Sequence, residues 1–269
     1  MARILTLAAL VSISLAFPQN AKIEQYDSSD SLRIVGGSNA SINDFPYAAQ
    51  ITTGYYFCGG SILSNAWILT AGHCLVDANV ANVEVLVGTQ RKGGVDGLLV
   101  QAEELFIHPQ YSEPPKSMKA GADYDVGLIK LLHNLTFSDT IRSIRLINEN
   151  QQIAPGTNAT LVGWGLQSEN VNDTYTDVLQ AVSVPVIAQD RCRSILNLTE
   201  EYLTDRMLCA GYAEGGKDSC SGDSGGPMVV NNTLIGIVSW GRGCARAEIP
   251  GVYTNVTSIR QYIRDTASL

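Results

Sequence analysis

The sequence predicts an all-β fold, and three observations predict it. Apolar runs of four to eight residues recur from Ile34 onward. Gly, Asn, Pro and Asp punctuate them, the residues that turn a chain most cheaply. Helical periodicity is scarce. Ser61–Thr70, Val83–Val87, Leu98–Ile107, Val126–Leu132, Thr160–Trp164, Val182–Ile187, Pro227–Val230 and Leu234–Trp240 read as strands. One helix is expected, at the C terminus. Thr257 or Ser258 can cap it, and Ile259, Tyr262 and Ile263 form its apolar stripe. Many short strands with little helix leave a sandwich or a barrel. No internal repeat is readable.

The chain has 269 residues, 45% of them hydrophobic and 16% charged, enough for one or two domains with a real core. Its net charge of −8 argues against a nucleic-acid or polyanion partner. The first residues stand apart. Arg3 precedes an apolar run from Ile4 to Ala16 that ends Ser14-Leu15-Ala16, the pattern of a signal peptide over 1–16. The run is too short to span a bilayer, and no later stretch is long enough, so no membrane partner is expected and the protein reads as secreted. Residues 17–33 are polar, ending at Leu32-Arg33, and Ile34-Val35-Gly36-Gly37 opens a different texture. The junction reads as a processing site between a propeptide (17–33) and the body of the protein (34–269).

Six cysteines, Cys58, Cys74, Cys192, Cys209, Cys220 and Cys244, suggest three disulfides in a secreted chain. Spacing alone leaves about fifteen pairings open. A zinc site is disfavoured, because no close Cys-x-x-Cys pair occurs and His73 is the lone histidine near a cysteine.

Three segments carry chemistry. Asp218-Ser-Cys-Ser-Gly-Asp-Ser-Gly-Gly-Pro227 sets Ser224 among glycines that expose backbone N–H groups. A serine hydroxyl needs a base beside it and donors for the charge it creates. Trp67-Ile-Leu-Thr-Ala-Gly-His-Cys74 sets His73 at the end of an apolar strand, and histidine is the usual base for serine. Asp123-Tyr-Asp-Val-Gly-Leu-Ile-Lys130 sets Asp125 at the head of another strand. Burying that carboxylate is costly unless a donor such as an imidazole N–H meets it. Each piece has a plainer reading: a glycine-rich turn, a structural histidine, a solvated turn aspartate. His108 and His133 read as surface residues.

Together the segments resemble the chymotrypsin-type serine proteases, in their trypsin-like branch. The resemblance rests on Arg33-Ile-Val-Gly-Gly, Cys58-Gly-Gly-Ser, Thr70-Ala-Gly-His-Cys74, Asp123–Lys130, Gly163-Trp-Gly165, Gly215–Pro227, Ser239-Trp-Gly-Arg-Gly-Cys-Ala245 and Pro250-Gly-Val-Tyr253, with His, Asp and Ser in the family's order. It implies two packed six-stranded antiparallel β-barrels, a cleft between them, and the C-terminal helix. It implies Ser224 as nucleophile, His73 as general base and acid, Asp125 as the orienting carboxylate, and the N–H groups of Gly222 and Ser224 as oxyanion hole. The implied pairs are Cys58–Cys74, Cys192–Cys209 and Cys220–Cys244.

The resemblance also implies a primary pocket with Asp218 at its base, Ser219 beside it, Ser239 among the substrate-binding residues, and Gly241 and Gly251 as walls. A buried carboxylate in an open, narrow pocket wants a long cation, so cleavage after Arg or Lys is expected. Cutting Arg33–Ile34 would free an Ile34 amine to pair with Asp223. Tyr124, Ala122, Gly72, Ser221 and Arg242 depart from the family's commoner residues. Ala122 suggests an open second subsite, and Arg242 a charge unfavourable to basic residues upstream of the cut. The stretch Gly88–Gly97, where the family can hold calcium, has one acid and two bases, so no metal site and no cofactor are expected.

Seven Asn-x-Ser/Thr sequons occur, at Asn39, Asn134, Asn158, Asn172, Asn197, Asn231 and Asn255, with Asn158 expected to be poorly accessible. The expected partners are protein or peptide substrates and, secondarily, proteinaceous protease inhibitors, met by a monomer. A binding-only homologue would normally lack a member of the triad, and an enzyme with an apolar pocket would lack Asp218.

Overall fold

Two sets of six antiparallel strands close into barrels in the computed structural model, which describes residues 34–54, 56–169 and 175–269, all within the unit Leu32–Leu269. The signal and propeptide readings over 1–33, Arg33 included, and the sequon at Asn172 lie outside the described residues.

The first barrel consists of β1 (Ala48–Thr52), β2 (Phe57–Ile62), β3 (Trp67–Thr70), β4 (Glu84–Val87), β5 (Leu98–Ile107) and β6 (Gly127–Leu131). Its strands run around the wall in the order β1-β2-β3-β6-β5-β4. The second barrel consists of β7 (Asn158–Gly163), β8 (Gln180–Ile187), β9 (Met207–Ala210), β10 (Pro227–Val230), β11 (Thr233–Trp240) and β12 (Gly251–Asn255). Here β7 pairs with both β8 and β10, which closes the ring β7-β8-β9-β12-β11-β10. Alternation in β8 shows the barrel logic, with Val182, Val184 and Val186 buried and Ser183 exposed between the first two. Ile51, Ile62, Ile68, Leu128 and Ile129 are buried in the strands of the first barrel, and Leu161, Val184, Met228, Ile237 and Tyr253 in those of the second.

Two helices decorate the second barrel, α1 (Gln189–Leu196) and α2 (Val256–Ala267). Asn255 caps α2, its side chain accepting from Thr257 N, so the cap lies two or three residues before the expected Thr257 or Ser258. Val256, Ile259, Ile263 and Ala267 are the buried face. The sequence reading missed α1, whose buried residues are Cys192 and Leu196, too few to print a stripe.

The expected single strand Ser61–Thr70 is two strands. Leu63 N and Ser64 N both turn back to Trp67 O, at 2.9 and 3.3 Å, which ends β2 at Ile62 and starts β3 at Trp67. Three disulfides join Cys58 to Cys74, Cys192 to Cys209 and Cys220 to Cys244. Asn158 is exposed, not sheltered, because it stands at the outer end of β7. No helix among the described residues is long and apolar enough to cross a membrane.

Candidate active site

Strand register brings the first two site residues together. Thr70, the last residue of β3, faces Gly127, the first of β6. The chain leaving β3 and the chain entering β6 therefore emerge at one end of the barrel. A 3-10 turn, Gly72–Cys74, follows β3 and carries His73, while Asp125 precedes β6 by two residues.

His73 Nδ1 lies 2.8 Å from Asp125 Oδ2, and the backbone N–H of His73 donates to Asp125 Oδ1 at 2.8 Å. Asp125 is buried, and its burial is compensated by donors. Ser239 Oγ donates to Oδ2 at 2.5 Å, and Thr254 Oγ1 donates to the Asp125 carbonyl at 2.7 Å. Both of those hydroxyls come from the second barrel. Burial pulls the His73 pKa down, but the Asp125 hydrogen bond and charge, with a contribution from Glu113, outweigh it. The pKa of the ring is therefore raised above the ordinary 6.5. Gly72 has a local cause, since a Cβ there would lie 2.9 Å from the Tyr111 ring. Cys58, His73 and Cys74 are close enough to hold a metal, but both sulfurs are spent in a disulfide.

The residues before Asp125 are tied down by the second barrel as well. Asp123 accepts from Arg206 Nε at 2.9 Å, from Arg206 Nη2, and from Thr204 Oγ1 at 3.1 Å. Tyr124 sits in the left-handed region (φ 49°), with the His108 ring stacked 4.4 Å from its own and the Arg206 guanidinium 4.4 Å from its centre. His108 is thus half-buried rather than a surface residue, and burial lowers its pKa. Sequence reasoning missed Arg206, Thr204 and the carboxylate contact of Ser239. They lie 83, 81 and 114 residues from their partners, and nothing local marks them.

The Ser224 loop leaves the second barrel between β9 and β10. Gly59 N donates to Ser224 O at 2.8 Å, and Gly225 N to Val238 O at 2.7 Å, so both barrels hold the loop. The Ser224 carbonyl also lies 3.7 Å from Cys74 Sγ, next to His73. Gly222 has φ 93°, and a Cβ there would fall 2.5 Å from the Tyr175 ring; glycine alone suits both conditions. Among the described residues Ser224 Oγ has no hydrogen-bond partner.

A cavity of about 210 Å³ opens beside Ser224, lined by Asp218, Ser219, the Cys220–Cys244 disulfide, Ser239–Gly241 and Gly251. Asp218 is buried and accepts from Ser219 N (2.8 Å), Ala245 N (3.0 Å) and Tyr253 OH (3.2 Å). Burial dominates these donors and pushes its pKa up to about 6. A Cβ on Gly251 would sit 2.6 Å from Asp218 Oδ1, closing the space over the carboxylate. The rim is braced by Glu169, which accepts from Arg246 Nε at 2.8 Å and from Cys244 N. A second cavity of about 290 Å³ abuts the first along Ser239 and Trp240, and reaches His73, Tyr111 and Ala122. Arg242 donates from Nε to the Lys119 carbonyl at 2.9 Å.

Asp223 is fully buried, accepting from Gly165 N at 2.8 Å and Cys220 N at 3.0 Å. Burial raises its pKa to about 7. Ile34 is also fully buried, and Val35 O accepts from Asp218 N at 3.2 Å, so the segment from Ile34 packs on the pocket loop.

Twin six-stranded barrels with a serine loop, an imidazole and a carboxylate at their junction define a class, the chymotrypsin-like serine endopeptidases. Residues 34–263 match the family described as Trypsin. Trypsin 5G1 of Aedes aegypti is 39% identical over 239 residues, covering 88% of this chain and 86% of that protein. Serine protease 1 of Homo sapiens is 37% identical over 257 residues, 94% and 96% of the two chains. Trypsin I-P1 of Gallus gallus is 34% identical over 268 residues, 99% of each. The chain belongs to the trypsin family and is a trypsin-like serine endopeptidase, a hydrolase acting on protein or peptide substrates.

Proposed function

We propose that this enzyme is a secreted zymogen that, once cut at Arg33–Ile34, hydrolyses peptide bonds after Arg or Lys. The observation that carries the specificity is the Asp218 carboxylate. It is buried at the pocket, held by three neutral donors, and has no cationic partner among the described residues. A guanidinium or ammonium would offset the desolvation that raises its pKa.

Ser224 is assigned as the nucleophile. His73 takes its proton through Nε2, since Nδ1 is engaged by Asp125, and later returns it to the leaving amine. Asp125 holds the imidazole in that tautomer and stabilises the imidazolium. Gly222 N–H and Ser224 N–H receive the oxyanion, a contribution worth on the order of 100- to 1,000-fold in rate per donor. Asp223 awaits a cation in the same sense as Asp218, and the Ile34 amine released by cleavage is its proposed partner. Glycans are assigned to the exposed sequons and not to Asn255, whose Nδ2 donates to Asp205 O at 3.2 Å.

The test is hydrolysis of matched peptide amides ending in Arg, Lys, Phe or Ala by the chain cut at Arg33–Ile34, with Ser224→Ala as control. Rapid cleavage after Arg and Lys, abolished in the control, is expected. Preference for Phe would refute the role of Asp218, and activity in the control would refute that of Ser224.

A further inference from the structure

At Gly222 the serine loop meets a platform built from both barrels. Tyr175 lies against Gly222, close enough that a Cβ on the glycine would fall 2.5 Å from its ring. Phe57, the first residue of β2, tilts against Tyr175 with ring centroids 5.6 Å apart. The ammonium of Lys92 sits over both rings, 4.3 Å from the centre of Phe57 and 4.5 Å from that of Tyr175. Two aromatic faces hold a cation by their quadrupoles. They do not cancel its charge, and no carboxylate of the described residues lies within 4.0 Å of it.

The backbone beneath this lysine is fixed. Gln50 is buried in β1, and its side-chain amide spans the position. Nε2 donates to Arg91 O at 2.8 Å, and Oε1 accepts from Gly93 N at 2.8 Å. Lys92 N itself donates to Asp177 O at 3.0 Å. The cation is therefore presented by an ordered loop rather than by a free surface chain, which lowers the entropy lost when it meets a charge.

The platform's place in the cleft follows from the chemistry. The acyl half of a substrate fills the Asp218 cavity and runs along Ser239–Gly241. The leaving half must depart past His73, the acid that protonates its amine, and past the Cys58–Cys74 disulfide. The residue before Cys58 is Phe57. An extended chain advances about 3.3 Å per residue, so the first few residues of the leaving peptide pass over this platform.

We infer that Lys92, held on Phe57 and Tyr175, makes the leaving side of the cleft select a peptide with an acidic residue within three positions after the cut. The inference rests on the proposed roles of Asp218 and Ser224, and adds a second charge requirement of opposite sign on the other side of the scissile bond. The aromatic rings admit the aliphatic stem of glutamate while the ammonium meets its carboxylate.

The experiment uses internally quenched peptides cleaved after a single Arg, with Glu or Gln placed in turn at the first, second and third leaving positions and no Lys in the peptide. The readout is the ratio of kcat/KM for the Glu and Gln peptides at low ionic strength, which divides out any change common to all substrates. The expected ratio is roughly 2- to 5-fold in favour of Glu at one of these positions, the range of a partly exposed ion pair. It should shrink as salt is added. Lys92→Gln should flatten the ratio, Lys92→Glu should invert it, and Lys92→Arg should retain it. A ratio near one at all three positions, or a preference that persists in Lys92→Gln, would overturn the inference while leaving cleavage after Arg intact. Failure to cleave any of the peptides would overturn it together with the reading it rests on.

Discussion

In the first barrel the strand order β1-β2-β3-β6-β5-β4 closes on itself, and the second repeats that path as β7-β8-β9-β12-β11-β10 while putting its ends to different use. The comparison is sharpest at one pair of strands. In the first barrel Thr70 faces Gly127, and the chain beyond them supplies His73 and Asp125. In the second Ala210 faces Gly251, and the chain beyond them supplies the Asp218 loop and the pocket wall. Equivalent ends of two like barrels thus carry a hydrogen-bonded imidazole–carboxylate pair in one case and the lining of a cavity over a buried carboxylate in the other. Neither load is self-sufficient. Asp125 is held by Ser239 and Thr254 from the second barrel, and Ser224 by Gly59 from the first. Barrel topology fixes where chemistry can be placed, and side chains that cross the junction decide what it becomes.

Substitutions on the two sides should divide accordingly. Ser224→Ala is expected to lower kcat by on the order of a million-fold with KM little changed. Asp125→Asn, on the other side, should lower kcat about 10,000-fold, by leaving the imidazole in the wrong tautomer. Steady-state rates on an arginine amide check both. Equal small losses would mean that the two barrels do not cooperate as described.

The residues that cross the junction come next. Ser239→Ala removes a short charge-assisted hydrogen bond to Asp125, and roughly 10- to 100-fold in kcat is expected from its ordinary strength. Arg206→Gln releases Asp123 and one face of Tyr124, the two residues that lead into Asp125. The expected loss is roughly 10-fold in kcat with KM unchanged. A rise in KM alone would place Arg206 in substrate binding instead.

The pH dependence separates the halves in another way. His73 must be neutral to act as base, and its pKa is raised, so the acid limb of kcat/KM should lie above 6.5 and move down in Asp125→Asn. Asp223 belongs to the second barrel's loop, and its pKa is raised from 3.8 to about 7 by burial. The folded chain then holds a proton that the unfolded chain releases. The contribution of Asp223 to the stability of the uncut protein should therefore be fullest below about 4 and decline as pH rises toward about 7. Thermal midpoints across that window test this, and Asp223→Asn should flatten the decline. The mildest expected effect on catalysis comes from Cys192→Ser with Cys209→Ser. That bridge ties α1 to β9 across a separation of 17 residues, and its loss should cost about 2–4 kcal/mol of stability with kcat retained.

Much of this was legible in the residues. β5 and β10 have the bounds their apolar runs predict, because each run is bracketed by turn residues. β1, β9 and β12 were not read. Ala-Ala-Gln-Ile-Thr and Met-Leu-Cys-Ala are poor in strand formers, and Gly-Val-Tyr-Thr-Asn sets three of them between glycine and asparagine in a run too short to stand out. The repeat of topology was invisible too, since strand order constrains backbone pairing and not residue identity. In the site, the motif-borne residues were readable because each sits in a dense local pattern. Arg206, Thr204, Ser239 as a carboxylate donor and the Gln50–Lys92 platform were not, because their partners are brought near by folding alone.

The central claim is that a hydroxyl from one barrel and a base from the other meet beside a pocket for a cation. Trapping the acyl-enzyme tests it most directly. The chain cut at Arg33–Ile34 would be mixed with a blocked arginine aryl ester, quenched in acid during the burst, and the added mass located by peptide mass spectrometry. The account predicts one acyl group on Ser224, formed from the arginine ester and scarcely from its phenylalanine counterpart. An adduct on another residue, or equal acylation by both esters, would contradict it.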